Sequence, residues 1–284
     1  MPEKPSRAAD YSKEQIQLVK ATCLYIATIL GDYIKQTVIV GGLVPSILID
    51  QENLPNGVDS HVGTMDLDLG LTLAIFDEKK YQAITKRLRS AQFSPDVNEQ
   101  GNLTRQRWKI ENVGKVTIDF LVPPTSGEDQ GGQIKDIEKD FAAVITPGLE
   151  LAFKDKIKVT LDGNTIFGEK AKRDVYSCGP GAFVVLKALA FRKRGENKDA
   201  YDLYYHIRNF GSGVDDVAEA LKPLLNEKET KKAIKILKED FTGNDSVGAV
   251  RVARFITGST DETIQADVVG FVRSLLDLIG LEKI

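Results

Sequence analysis

The sequence is poor in sulfur and in imidazole: two cysteines, two methionines and two histidines stand among 284 residues. Cys23 and Cys178 are far apart and outside any CxxC spacing, so neither a thiolate zinc site nor a disulfide framework is indicated, and a reducing, cytoplasmic setting fits. Long apolar runs are missing too. No stretch reaches the roughly 18 apolar residues of a membrane span, and residues 1–10 are polar, carry Pro2 and Pro5, and lack the apolar core of a secretory signal. Strong net charge is also absent. At −3 no global positive field draws in nucleic acid, so a polynucleotide partner would need a local basic patch, and RNA is neither supported nor excluded. What is present, 42% hydrophobic and 28% charged residues, is an ordinary globular composition without disordered, collagen-like or repeat bias. Domains usually run roughly 100–200 residues, so two are expected.

Residues 12–33 place Ile16, Val19, Cys23, Ile26, Ala27 and Leu30 at near-helical spacing, with Ser12 as N-cap candidate and Gln15 three residues on, predicting an opening amphipathic helix. Thr37-Val38-Ile39-Val40 is a β-branched run that stops at Gly41-Gly42, a buried strand ending in a turn free of side chains; a helix over 43–50 follows. Residues 51–63, rich in Asn, Gly, Pro, Asp and Ser, read as a surface loop. Over 64–76 a strand is expected, because Met65, Leu67, Leu69, Leu71 and Leu73 alternate with Asp66, Asp68, Gly70 and Thr72. Asp66 and Asp68 must then share one face.

A Lys/Arg-rich helix is predicted over 78–90, then a hairpin of 105–110 and 115–122 about the Asn112-Val113-Gly114 turn, with Asp119 mid-strand. Pro123-Pro124 ends it, and 125–132 is a loop. Residues 149–160, 165–167 and 174–178 read as further short strands. After Gly179-Pro180-Gly181 strand patterns give way to helical ones over 182–194, 198–210, 214–225, 229–240, 246–256 and 260–278. The expected domains are therefore 1–178 and 179–284.

Two carboxylates at i and i+2 of one strand face lie a few Å apart and repel unless a cation or proton lies between them. Hard oxygen donors, with His61 alone among His and Cys nearby in sequence, favour Mg²⁺ or Mn²⁺ over zinc. Asp119, between apolar Ile118 and Phe120, sits where an unpaired carboxylate is costly, and a shared metal would serve as its partner. Three carboxylates on neighbouring strands can hold two metals roughly 3.5–4 Å apart, one activating an attacking hydroxyl and one stabilising a leaving pyrophosphate. That is the chemistry of in-line phosphoryl transfer. Its expected companion is a glycine turn that lets backbone N–H groups approach a triphosphate, a place Gly41 and Gly42 would fill. Each piece alone has a plainer reading: acids on a wet strand face, an ordinary turn, a salt-bridged or edge-strand aspartate. Their combined order along the chain favours the metal.

Val40-Gly41-Gly42 followed by Thr64-Met65-Asp66-Leu67-Asp68-Leu69 resembles the signature of the DNA polymerase β-like nucleotidyltransferase superfamily. The stretch between the two is longer than in typical members, so 51–63 reads as an insertion. Leu43 stands where a serine usually follows the glycines, with Ser46 the nearest substitute hydroxyl. Downstream, Lys187, Ala190 and Arg194 form a KxxAxxxR pattern, and Lys198-Asp199-Ala200-Tyr201-Asp202-Leu203 follows. These are similar to motifs of the AbiEii-like family of abortive-infection and type IV toxin nucleotidyltransferases, and the resemblance spans residues 38–205. It implies an α+β fold: an N-terminal mixed sheet flanked by helices, then a C-terminal helical bundle that completes the nucleotide site. It also implies an NTP substrate, Mg²⁺ or Mn²⁺ as cofactor, an antitoxin as protein partner, Lys187 on the phosphates with Arg194 and Lys198 nearby, and Asp202 supporting the site or acting as base.

From the residues alone, Lys187 and Arg194 share one helix face two turns apart, where two cations could meet a triphosphate. Arg192, Lys193, Arg194 and Lys198 equally read as a solvated turn, and Asp199 as an acid at a helix start. His61, in its loop, reads as solvated more readily than as a ligand, and His206 as structural. Trp108 and Tyr201 are core or base-stacking aromatics. The expected activity is transfer of an NMP from an NTP to an acceptor hydroxyl on RNA, protein or a small molecule, the last as in antibiotic-modifying relatives. The alternatives are a non-catalytic descendant that only binds nucleotide or a partner, and a DxD glycosyltransferase, which would lack the glycine turn and the third aspartate.

Overall fold

The computed structural model describes residues 5–71, 78–110 and 116–280. Its fold is α+β with a mixed sheet. The chain divides into two compact units that are not contiguous spans: a sheet unit of Lys13–Leu43 and Thr64–Cys178, and a helical unit of residues 5–12, Val44–Gly63 and residues 179–280.

In the sheet unit the strands are β1 (Thr37–Val40), β2 (Asp66–Leu71), β3 (Phe93–Val97), β4 (Leu103–Ile110), β5 (Thr117–Val122), β6 (Ile134–Glu138), β7 (Phe141–Ile145), β8 (Lys156–Asn164) and β9 (Lys170–Cys178). They form one sheet in the order β3-β4-β5-β2-β1-β9-β8, while β7 pairs with β5 and carries β6. Helix α1 (Lys13–Leu30) belongs to this unit, as do α3 (Glu78–Ser90) and α4 (Leu149–Lys154); α2 (Val44–Leu48) belongs to the other. Arg87 of α3 donates to the carbonyl of Leu30 at 2.5 Å, satisfying an orphan group at the end of α1.

Alternation in β2 sorts its side chains: Leu67, Leu69 and Leu71 are fully buried, while Asp66 and Asp68 are half-buried on the opposite face. The same holds in β5, where Ile118 and Phe120 are buried and Asp119 lies between them, half-buried. The apolar face meets Trp108, Tyr81 and Phe141, with Phe120 and Phe141 ring centroids 4.8 Å apart. Each such aromatic contributes roughly 1.5–3 kcal/mol by leaving water. Register then aligns the polar face. Val40 pairs with Asp68, Asp68 with Asp119, and Asp119 with Arg107, a row across β1, β2, β5 and β4. The file of acids ends at Gly70, where a Cβ would lie 2.9 Å from Val38 Cγ1 and 3.0 Å from Leu149 Cδ1 of α4.

Several expectations are corrected. The strand expected over 149–160 holds only from Lys156, where β8 begins; Leu149–Lys154 is helix, with Leu149, Leu151 and Ala152 burying themselves from α4. Residues 165–167 form the turn between β8 and β9, which pair along their whole length. β3, β6 and β7 were not legible. Pro95 adjoins a register irregularity in β3, at the end of the strand order, where a lost N–H donor costs little. β2 begins at Asp66; the rest of its expected span over 72–76, and the Asn112-Val113-Gly114 turn, lie outside the described residues.

In the helical unit α5 (Pro180–Arg194), α6 (Asn197–Asn209), α7 (Val214–Leu221), α8 (Lys228–Phe241), α9 (Val247–Thr257) and α10 (Glu262–Leu278) follow the expected pattern closely. Pro180 occupies the first turn of α5, and Gly195 ends it at φ +66. Asp261 caps α10, accepting from the N–H groups of Thr263 and Ile264 at 3.0 Å. α6 is buried without interruption from Asp199 to Ile207. Residues 51–63 are not simply a surface loop. Leu54, Val58 and Val62 pack against a core of Ile49, Tyr201, Tyr205 and Phe255, and Gln51 braces the segment by accepting from the His61 N–H at 2.7 Å. Their apolar partners lie far downstream, so no local period announces the packing.

Candidate active site

Two charged clusters hold the residues singled out by sequence. Asp66, Asp68, Asp119, Gly41 and Gly42 are in the sheet unit; Lys187, Arg194, Lys198 and Asp202 are in the helical unit.

At the sheet cluster the β1 strand ends in a turn at Gly41, whose φ of +74 suits glycine. A Cβ there would stand 1.9 Å from Asp68 Oδ2, so only glycine admits this close approach of turn backbone and carboxylate. Thr64 Oγ1 donates to Asp66 Oδ1 at 2.9 Å. Asp68 and Asp119 are direct neighbours in parallel register, which brings the three acids onto one face. Arg107, opposite Asp119 on β4, donates from Nε to Asp119 Oδ1 at 2.6 Å and from Nη2 to Oδ2 at 2.5 Å. The hydrogen bonds that Arg107 donates to Asp119 raise its pKa above its ordinary value despite partial burial, and the charges of Asp119, Asp66 and Asp68 add to the effect.

Donor chemistry here fits a hard divalent cation: an all-carboxylate set on one half-exposed face beside a glycine turn. Among the described residues no three His, Cys, Asp or Glu side chains are grouped so that they could hold a metal ion as they stand. The physical reason is visible at Asp119, both of whose oxygens are taken by one guanidinium. Arg107 was missed in the sequence. Its signal was the alternation of Arg105, Arg107 and Lys109 along one face of a strand facing the third aspartate.

The helical cluster is of another kind. Lys187 Nζ lies 2.7 Å from Asp202 Oδ2 and 3.0 Å from Asp199 Oδ1, all three being buried. Arg194 grips Asp199 with bonds of 2.7 to 3.0 Å, and Lys198 bonds Asp202 Oδ1. That same oxygen accepts from His61 Nε2 at 2.8 Å. The tautomer of His61 follows from its other nitrogen. The Gly63 backbone N–H points at Nδ1 at 3.1 Å, and an amide N–H can only donate, so Nδ1 carries the lone pair and Nε2 the proton. Ser46, 2.9 Å from Nδ1, therefore donates its hydroxyl to His61; its position gives it that role in place of the phosphate contact considered above.

Burial alone would raise the Asp202 carboxyl, but Lys187 and Lys198, with the His61 bond, hold it far below the usual carboxylate range. Burial likewise opposes the charge on Lys187, yet Asp202 and Asp199 outweigh it and raise its pKa. Burial lowers Lys198, only partly offset by Asp202, and the like charge of Lys187 adds to the fall. His61 is depressed to about 4 by burial and by Lys198, against the pull of Asp202. A carboxylate so fully engaged is a support and a poor proton acceptor. His61 is not solvated: it is buried, stacked on Tyr201 at a centroid distance of 5.5 Å.

No protein-family profile matches the chain. Over 108 residues it is 29% identical to a membrane protein insertase YidC of Rhizobium meliloti (strain 1021), the alignment covering 37% of this chain and 18% of the insertase. A second YidC, from Sinorhizobium medicae (strain WSM419), is 28% identical over 108 residues with the same coverage of 37% and 18%. The chain thus spans less than a fifth of the length of the curated relatives it matches. Among the described residues no helix is long and apolar enough to cross a membrane.

Proposed function

We propose that this chain is a metal-dependent nucleotidyltransferase that moves an NMP from an NTP to an acceptor hydroxyl. One observation carries the reading: the Gly41 turn is seated against the Asp68 carboxylate, itself in register with Asp119 and one pleat along from Asp66. That is the juxtaposition phosphoryl transfer needs, backbone N–H groups for phosphate oxygens beside acids for cations. Asp66, Asp68 and Asp119 would hold Mg²⁺ or Mn²⁺, which when bound supplies charge neutralisation for the phosphates and acidifies the acceptor hydroxyl. Gly41 and Gly42 admit the triphosphate, and Leu67, Leu69 and Phe120, all fully buried, fix the strands that carry the acids.

The AbiEii-like resemblance extends this reading to a toxin or phage-defence enzyme with RNA, protein or a small molecule as acceptor and an antitoxin as partner. Lys187, Arg194 and Lys198 enter it as the cations by which that family would meet the nucleotide, with Asp199 and Asp202 keeping them ordered. The test is incubation of the pure protein with each labelled NTP, Mg²⁺, and either total RNA or a set of small acceptors. Transfer of label that disappears in Asp68→Ala supports the reading; transfer that survives it sinks the three-acid site.

A further inference from the structure

Three carboxylates on one sheet face are a charge problem in the absence of a cation, and Arg107 addresses it from within. Its two parallel N–H···O bonds to Asp119 form the fork geometry that makes such pairs strong. Arg107 and Asp119 side chains are 18% and 14% exposed, so solvent screens the pair little. The bonds engage both oxygens of Asp119, hence a divalent ion recruiting that residue must share an oxygen with a guanidinium N–H and its positive charge. The field of Asp66 and Asp68 also reaches the guanidinium, which places its charge where it repels an incoming cation.

Resting on the reading of these acids as metal ligands, we propose that Arg107 is a built-in competitor for the divalent cation. It holds Asp119 in the metal-free protein and gives it up when the cation binds, so it sets the cation concentration at which the three acids act together. Arg107 is thus a positioning residue that trades metal-free stability against metal affinity. The exchange is internal and charge-compensated: the cation replaces the guanidinium as the partner of Asp119, and no other group need change protonation.

The test uses the full chain and Mn²⁺ alone. Trp108, the chain's single tryptophan, adjoins Arg107 and is fully buried, so its fluorescence offers a reporter, with calorimetric titration as the second readout. Arg107→Gln is expected to bind Mn²⁺ roughly tenfold or more tightly than wild type, the equivalent of one charge-assisted bond no longer broken. Its Tm without metal should fall, and the rise in Tm on adding Mn²⁺ should exceed that of wild type. Unchanged or weaker binding by a folded Arg107→Gln overturns the proposal. If that variant does not fold, Arg107→Lys decides by the same measure, since lysine cannot keep the fork: tighter binding supports the proposal, equal or weaker binding overturns it. Wild type and variants that all fail to bind Mn²⁺ at millimolar concentration would bring down the ligand reading and this inference together. Wild-type binding that is lost in Asp68→Ala but unmoved by either Arg107 substitution removes the inference alone.

Discussion

The sheet cluster and the helical cluster are built from the same residue types and solve opposite problems. On the sheet face three half-buried acids lie next to a glycine turn, with the Arg107 guanidinium bonded to Asp119. In the helical unit three cations meet two buried acids, every one of them bonded, with a buried histidine completing Asp202. Half-buried carboxylates on a sheet face stay within reach of solvent, whereas the buried acids of the helical cluster are engaged by cations within the fold. The difference teaches that a motif's residue types do not fix its role. Lys187 and Asp202 stand in a family-like pattern, and their buried ion pair also ties α5 to α6.

The sharpest way to break that comparison is to remove one acid from each cluster. Asp68→Ala should cost transfer activity about a thousandfold or more, as lost charge stabilisation does, with circular dichroism and Tm near wild type. Asp202→Asn should instead leave Lys198 without its counter-charge and Lys187 with Asp199 alone, and cost about 3–5 kcal/mol in urea unfolding. Equal Tm values for the two variants would dissolve the distinction. Lys187→Ala belongs with the second: about 3–5 kcal/mol of stability is expected to go, with NTP affinity, read by titration with a non-hydrolysable NTP, falling ten- to a hundredfold if the family-type contact is also made.

Acidity gives a smaller, graded effect. His61 and His206 are buried and depressed to about 4 and about 3 from an ordinary 6.5. Each is neutral in the fold, while the unfolded chain takes up a proton below 6.5, so stability is complete above that pH. It is lost at about 1.4 kcal/mol per pH unit per histidine on the way down to the folded value. Urea midpoints measured from pH 7.5 to 5 should show the slope, and a flat profile would contradict the buried neutral pair. Least of all, His206→Leu should gain about 1 kcal/mol at pH 7, because neither ring nitrogen of His206 has a hydrogen-bond partner among the described residues. A loss of stability there would reveal a role for the ring that packing against Phe183 and Phe210 does not explain.

Most of the architecture could be read from local pattern. β1, α3 and the helices after Gly179 were legible because their apolar periods are clean and their ends carry Gly or Pro, as at Gly41 and Gly195. The Asp66 and Asp68 face was legible for the same reason, period-two alternation leaving no other arrangement. What escaped depends on partners distant in sequence. β6 has charges that only an edge position tolerates, and α4 imitated a strand because alternate leucines also fit one helical turn. Arg107 looks like any surface arginine until register sets it opposite Asp119. His61 looked solvated because its acceptor lies on α6. The activity assigned to the sheet cluster rests on chemistry and resemblance, which pattern alone does not supply.

His61 and Asp202 are 141 residues apart, and that interval has a cost in time. A ribosome adding roughly 5–20 residues per second needs about 7–30 s to make Asp202 once His61 has emerged. Through that wait Ile49, Leu54, Val58 and Val62, which pack against Tyr201, Tyr205 and Phe255, have no core to enter. They hang between two stretches of chain that already contain sheet residues. Nascent chains stalled before α6 should therefore be cut by protease within residues 44–63 and recruit holdase chaperones there, and chains stalled after α9 should do neither.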